Sequence, residues 1–421
     1  MRLAAWSVGA KRAGAGAGFA AQADLAVAFV ERSTQLLAPN GTLALLVPAK
    51  LWRALAGGGI RQLLAEQTRI HTVRDWSDAP SLFAAATYPS LIVAQRIAVR
   101  APIPTPRIHV AIARHNTTHE FSLPIQHLTL DNDPAAPWIL LPPHVRTAFE
   151  KLRRTAPPLG DSPLGRPQLG TKCGCNAAFL VHATEHDDEL ATITANARSA
   201  LIERQMLRPA LRGEAIQSLA AQTSQQVGSG DLRIIWTHDN NGTPLRTLPP
   251  HAARWLAQWR SRLDARHDAR TSTPWWSLFR TDAAHAEAPR LVWADIGKQL
   301  RTRVLAAGDP TVPLNSCYVM RTPALEDALA LHTLLESPLV AAWLNAIAEP
   351  ARGGFRRFLG WTVAVLPLPP DWINARTALA DISRYTASGN TLSTDDHISA
   401  TADAYGVSVA SMQPLLDWNV R

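Results

Sequence analysis

An α/β fold is expected for the first hundred residues on two observations. Apolar positions recur at helical spacing, and short apolar runs without polar alternation lie between them. Asp24 is a good N-cap, followed by Leu25, Phe29, Leu36 and Leu37 at helical spacing. Pro39-Asn40-Gly41 closes that helix, and Thr42–Val47 then reads as a strand buried on both faces. A second helix is expected over Ile60–Gln67, with strands at Ile70–Asp75 and Ser90–Gln95. This alternation predicts a parallel, doubly wound sheet entered partway through its domain.

Beyond it, residues 101–170 are Pro-rich and weakly periodic, with Pro142-Pro143 and Pro157-Pro158, and read as a connector around a strand at Arg107–Ala113 and a helix at Pro143–Arg154. From about Gly160 to Pro370 short strands (Phe179–Val181, Arg233–Thr237, Arg290–Trp293, Cys317–Met320) mix with amphipathic helices (Arg254–Arg270, Leu325–Ala348). A polar tail closes with a helical segment around Ser408–Trp418. No internal repeat is present.

Composition narrows the class. The 421 residues carry 42 Lys+Arg against 34 Asp+Glu, a net charge of +8, and 47% hydrophobic residues at a mean hydropathy of -0.06. A sizeable core can be buried, and disordered or fibrous classes are excluded. No apolar run reaches transmembrane length. Three cysteines exclude a disulfide scaffold and favour a reducing, cytoplasmic setting. Lys11-Arg12 interrupts any signal-peptide core and leaves a flexible basic loop as the expectation for the start. Arg outnumbers Lys so heavily that position, rather than frequency, must identify an anion-facing surface. Between Arg198 and Arg303 sixteen Lys/Arg meet nine Asp/Glu, so this stretch holds +7 of the charge.

The segments Asp24-Leu-Ala-Val-Ala-Phe-Val-Glu31, Leu36-Leu-Ala-Pro-Asn-Gly-Thr-Leu-Ala-Leu-Leu-Val-Pro48 and Leu82-Phe-Ala-Ala-Ala-Thr-Tyr-Pro89 resemble the later half of the catalytic domain of adenine-specific DNA methyltransferases, in the TaqI-like and type IIG restriction–modification group. Gly174-Cys-Asn-Ala-Ala-Phe-Leu-Val181, Leu207-Arg-Pro-Ala-Leu-Arg-Gly-Glu214, Trp275-Trp-Ser-Leu-Phe-Arg280, Leu291-Val-Trp-Ala-Asp-Ile296, Asn315-Ser-Cys-Tyr318 and Gly353-Gly-Phe-Arg-Arg-Phe358 resemble the target-recognition domain that follows it. Order and spacing over residues 22–370 carry the likeness; no single motif does.

The resemblance implies a partial Rossmann-like S-adenosylmethionine-dependent methyltransferase domain (1–110), a connector (111–159), a mixed α+β target-recognition domain (160–370) and a C-terminal helical extension (371–421). In that family a methyl group passes to the amine of a flipped adenine without a covalent enzyme intermediate. Two family motifs have no counterpart: the Asn/Asp-Pro-Pro-aromatic motif, since Leu141-Pro-Pro143 and Leu248-Pro-Pro250 lack the amide or carboxylate, and the cofactor loop, since no strand precedes Gly14–Gly18. A split or truncated enzyme is therefore expected, with the S-adenosylmethionine site mostly on a missing or separate N-terminal part, an upstream-encoded chain as partner, and double-stranded DNA as substrate. The competing expectation is a non-catalytic DNA-binding specificity subunit or remnant.

Site residues follow from the same likeness. Phe83 matches the aromatic that stacks on the extruded adenine, or it is a core Phe anchoring a loop. Lys172 and Asn176 flank a Gly-rich turn and suit phosphate pairing and adenine reading, or a plain turn. Arg208 and Arg212 bracket Pro209, where a turn gripping phosphates or a surface salt-bridged turn is expected. Lys298, Arg301 and Arg303 follow the strand Leu291–Trp293; Arg352, Arg356 and Arg357 alternate with glycine and phenylalanine. Both sets are candidates for DNA contact. Cys173 and Cys175 lack the partner pair that a zinc site needs, so no metal is expected.

Overall fold

The computed structural model describes residues 24–79, 88–98, 107–114, 117–130, 133–219, 232–266, 274–351 and 354–419. Internal contacts divide the chain into two units. Unit 1 comprises residues 1–151, 342–357 and 410–421, and unit 2 comprises residues 152–341 and 358–409.

Unit 1 is built on helix α1 (Leu25–Leu36), strand β1 (Thr42–Pro48), the single turn α2 (Lys50–Arg53), helix α3 (Gly58–Gln67) and strands β2 (Thr68–Asp78), β3 (Pro89–Arg96), β4 (Arg107–Arg114) and β5 (Thr117–Pro124), before helix α4 (Pro143–Arg153). The strand order is β1-β3-β2-β4-β5. The α/β alternation is present, but the expected parallel pairing of β1 with β2 is corrected. Both strands pair antiparallel with β3, which is inserted between them, and only β2 and β4 pair in parallel. β1 and β2 still point the same way, with helices in the connection between them; β3 enters after a connection with no described helix and runs opposite to both.

The face of α1 is a second correction. Asp24 caps the helix by accepting from the Ala26 N–H at 2.9 Å. Leu25, Phe29 and Leu36, whose spacing signals the helix, are 51%, 64% and 67% exposed. The buried side is Val27, Val30 and Thr34. β1 likewise buries Leu43 and Val47 while Thr42, Ala44 and Leu46 remain exposed, so it is covered on one face rather than two.

Two stacked ring pairs fill the core of unit 1. Trp52 lies on Trp138 with centroids 4.5 Å apart and donates its indole N–H to the Ser90 hydroxyl at 2.9 Å. Phe149 stacks on Trp343 at 4.6 Å. Arg61 is fully buried and donates to the carbonyls of Leu51, Ala54 and Ala135. Burial holds its guanidinium down at about 9.

Unit 2 carries β6 (Gln168–Leu169), β7 (Leu180–Glu185), β8 (Leu190–Ala195), β9 (Arg198–Glu203), β10 (Leu207–Leu211), β11 (Leu232–Ile235), β12 (Arg290–Ala294), β13 (Ile296–Gly297), β14 (Thr302–Leu305), β15 (Val312–Pro313) and β16 (Cys317–Arg321). One six-stranded sheet runs β15-β10-β11-β7-β8-β9, and a four-stranded sheet runs β14-β12-β16-β6. The helix expected over Leu325–Ala348 divides into α5 (Leu325–Glu336) and a second helix, Pro338–Ile347. Pro338 has no N–H to continue the ladder, and Ser337 before it is extended, with φ -63 and ψ 139. A long helix, α6 (Trp372–Ala387), packs on α5, and the Thr333 hydroxyl donates to the Leu379 carbonyl at 2.8 Å. No helix among the described residues is long and apolar enough to cross a membrane.

These packing differences set a contrast measurable by urea denaturation. Trp52→Ala is expected to cost about 3–5 kcal/mol. Leu46→Ala, at a 53% exposed position, is expected to stay within about 0.5 kcal/mol.

Candidate nucleic-acid interface

In unit 2 the expected residues fall on three structural elements. Lys172 is half-buried, and its backbone exchanges two 2.9 Å hydrogen bonds with Phe279. Gly174, at φ +67, turns the chain; a Cβ there would meet Arg266 Cδ at 2.8 Å, so glycine is required on two counts. Asn176 opens a one-turn helix, is exposed, and accepts from the Cys173 thiol at 3.0 Å. Burial pushes that thiol up from its ordinary value.

The turn expected around Pro209 is corrected, because Leu207–Leu211 is strand β10. Pro209 sits opposite Arg233 in the β10–β11 ladder. Arg208 lies 4.5 Å over the Trp236 ring and donates to Asn240 Oδ1 at 3.3 Å. It is half-buried, and desolvation lowers its guanidinium from the ordinary value. His238, beside the same ring at 5.6 Å, is drawn down to about 4 by burial, with Arg208 adding to the effect. Arg212 follows the strand and is half-buried.

The third element is β14. Lys298 is exposed before it. Arg301 donates to Glu336 Oε2 and to Gln299 Oε1, both at 2.9 Å. Arg303 is half-buried on the strand itself.

The structure also brings together arginines and tryptophans that the sequence reading left apart. Arg198 and Arg262 each lie 5.5 Å from the Trp259 ring, and Arg260 lies 5.4 Å from Trp275. Arg198, Arg260 and Arg262 are exposed. Their sequence signal is the Trp-Arg-x-Arg run at Trp259–Arg262; Arg198, on β9, has no local signal.

In unit 1, Arg357 is exposed on the strand Phe355–Arg357. Arg356 is a correction to the expected DNA contacts: it is 7% exposed and pairs with Asp78 at 2.6 Å. Burial alone would raise the Asp78 carboxyl, yet the guanidiniums of Arg356, Arg53 and Arg114 overcome it and hold the group below its ordinary range. Arg53 makes a parallel pair with Asp75 at 3.0 Å. A guanidinium so enclosed is not presented to a phosphate. Phe83 and Arg352 lie outside the described residues.

The glycine run at the head of α3 is closed by its own neighbours, since a Cβ on Gly57 would lie 2.0 Å from the Leu51 carbonyl and 2.6 Å from Arg61. β1 runs through Pro48-Ala49 into α2 without a glycine. Gly14–Gly18 lies outside the described residues. No group of three or more metal-ligating side chains occurs among the described residues.

Residues 9–83 match the model of the Eco57I restriction-modification methylase family. The chain is 22% identical over 383 residues to the type II methyltransferase M.PaeR7I of Pseudomonas aeruginosa, a match covering 86% of this chain and 62% of that protein. It is 23% identical over 381 residues to the type II methyltransferase M.XhoI of Xanthomonas vasicola, covering 87% of this chain and 65% of that protein. The chain thus spans less than two thirds of the length of these relatives. Its fold is shared with the type IIL restriction-modification enzyme MmeI, whose structure is in complex with DNA: TM-score 0.54 at 11% identity, over 95% of this chain and 50% of that one. The chain is thus similar to type II restriction–modification methyltransferases along most of its length, as the resemblance of its motifs implies.

Two outcomes test the assignments within unit 2. The folded value of His238 lies below its ordinary 6.5, so the unfolded chain binds that proton more readily between pH 6.5 and about 4. Stability should fall as pH drops through this window, and His238→Asn should flatten the slope in thermal melts. Arg208→Ala should weaken duplex binding about equally across sequences and reduce the salt slope by about 0.9, read by fluorescence anisotropy.

Proposed function

We propose that this chain supplies the trailing part of the catalytic domain and the target-recognition domain of a site-specific adenine DNA methyltransferase in a restriction–modification or phage-defence system. The observation that carries this reading is the similarity to M.PaeR7I and M.XhoI along nearly the whole chain. The methylase family match at residues 9–83 supports placing the catalytic part first.

In this reading the partial Rossmann-like portion is residues 1–110, within unit 1. The β1-β3-β2 order, with two like-directed strands behind helices, supports it. Unit 2 is the recognition module, and its arginines set against tryptophan rings suit a phosphate backbone. Lys172, Asn176, Arg208, Arg212, Lys298, Arg301 and Arg303 remain its proposed DNA contacts, with Arg357 in unit 1. Phe83 and Arg352 keep their proposed roles in adenine stacking and DNA contact. S-adenosylmethionine is the methyl donor that the similarity implies, and in this reading its site lies mostly on a missing or separate N-terminal part.

The test is in two parts. The coding sequence adjoining Met1 should encode a Gly-rich loop and an Asn-Pro-Pro-aromatic motif, and the purified 421-residue chain should bind S-adenosylmethionine weakly or not at all by calorimetry. Tight binding by this chain alone overturns the placement of the cofactor site. Duplex DNA affinity should fall steeply with salt, at a log–log slope of about -0.9 per phosphate neutralised. A salt-independent affinity rejects the DNA-facing role. DNA binding without methyl transfer, once the upstream polypeptide is supplied, identifies a specificity module instead.

A further inference from the structure

One turn of unit 2 carries two side-chain amides that its own geometry does not use. β11 leads through the buried Trp236, Thr237 and His238 into the turn Asp239-Asn-Asn-Gly-Thr243, where Asp239, Asn240 and Asn241 are exposed. The backbone closes this turn: the Asp239 N–H donates to the Thr243 carbonyl at 2.9 Å, and the Gly242 N–H to the Asp239 carbonyl at 3.2 Å. The Asp239 carboxylate accepts from the Asn241 and Thr243 N–H groups at 2.9 and 2.8 Å. Gly242 takes the left-handed backbone at φ +76, and a Cβ there would meet His285 Nε2 at 2.7 Å. At the root, the Thr237 hydroxyl donates to the Trp276 carbonyl at 2.7 Å, and the Leu245 N–H to the Thr237 carbonyl at 2.9 Å. The tip is thus held both from within and from below.

Asn is common in turns because it tolerates left-handed backbone or because its side chain bonds to the chain nearby. Neither reason applies to Asn240 or Asn241. Neither has a positive φ, and it is Asp239 that supplies the side-chain bonds closing the turn. Among the described residues the Asn240 amide has one partner, Arg208, whose Nη2 donates to Oδ1 at 3.3 Å. A guanidinium can only donate, so this contact fixes which end of the amide is oxygen. Oδ1 keeps a second lone pair, and Nδ2 keeps its N–H groups for an incoming acceptor. Arg208 itself is seated 4.5 Å over the Trp236 ring. An exposed amide with a donor and an acceptor to spare, beside a seated cation, is laid out for the edge of a base next to a phosphate.

We propose that Asn240 is a specificity-determining residue that reads an adenine in the major groove of duplex DNA, its Oδ1 accepting from the exocyclic amine and its Nδ2 donating to N7. The base it reads stays stacked in the duplex and is distinct from the adenine that receives the methyl group. Only adenine offers that donor and acceptor side by side on its major-groove edge. The inference rests on the function proposed above and gives one residue of unit 2 a task that charge cannot perform. Arg208 positions the duplex through its backbone, and Asn240 discriminates between base pairs. An amide already held on a closed turn loses little freedom when the duplex arrives, which favours discrimination over adaptation.

The experiment incubates the full chain with a library of randomised DNA duplexes, over a series of salt concentrations, and sequences the bound fraction. Asn240 is exposed, so its truncation leaves the core intact. Asn240→Ala is expected to lose the preference for an A·T pair at one position by at least about tenfold, while every other position and the salt slope stay as in the wild type. Arg208→Ala should instead weaken all sequences together. Three results overturn the proposal: every preference intact in Asn240→Ala, a uniform loss like that of Arg208→Ala, or a lost preference for a base pair other than A·T. Asn241→Ala is run beside it, and a loss confined to that variant counts as the first of these results. A wild-type chain that binds duplexes without sequence preference, or not at all, rejects the recognition-module reading and this inference with it. Intact preferences in Asn240→Ala reject the inference alone.

Discussion

Buried guanidiniums that donate to backbone carbonyls hold much of the irregular structure in both units. Arg61 ties the turn after α2 to the Ala135 carbonyl of a distant loop. Arg266 donates to the carbonyls of Leu263, Cys173, Trp275 and Ser277, fixing the Gly174 turn to the Trp275-Trp276 segment. Arg290 is fully buried and reaches the carbonyls of Ala283, Thr311 and Asp309. A loop carbonyl with no strand or helix partner must be satisfied when buried, and the planar, five-donor guanidinium can satisfy several at once. The cost appears in the groups themselves, with Arg290 drawn down to about 10 by desolvation. Removing one such arginine would orphan several carbonyls together, which is why its loops stand or fall as a set.

The same interaction explains where the charge reading of the sequence loses resolution. The excess of sixteen basic over nine acidic residues between Arg198 and Arg303 includes Arg266 and Arg290, which face inward. A count along the chain cannot tell a guanidinium that staples a loop from one that meets solvent, because both occur between apolar residues. Arg356 shows this most sharply: it sits in a Gly-Phe-Arg-Arg run suited to phosphate approach, yet its partner is Asp78, far away in sequence. Exposed cations such as Lys298, and the arginines around Trp259, separate from the buried ones only in three dimensions.

Local structure was more legible than its surroundings. Asp24 as a cap, the break at Pro39-Asn40-Gly41 and the strand at Thr42 all follow from short-range chemistry and stand as read. The side of α1 that is buried was not legible, because the helix is apolar on two sides and periodicity reports only that a stripe exists. The insertion of β3 between β1 and β2 left no local trace either, since pairing partners are chosen by the whole sheet. The likeness to restriction–modification methyltransferases was readable from motif order. The pairs Arg198–Trp259 and Arg208–Trp236 were not, since each joins residues far apart in the chain.

Unit 1 is assembled from the beginning of the chain, a short return at residues 342–357 and the last dozen residues. The Trp418 carbonyl accepts from Arg114 while Asn419 holds Asn345 at 2.9 Å. During synthesis, therefore, the β1–β5 sheet must wait for residues 418–419 before these contacts can close, whereas unit 2, which ends at residue 409, has its residues in hand earlier. A nascent chain of this topology spends most of its synthesis time with an early sheet incomplete. Loss of residues 418–419 would be felt first at Arg114 and Asn345, far back along the chain.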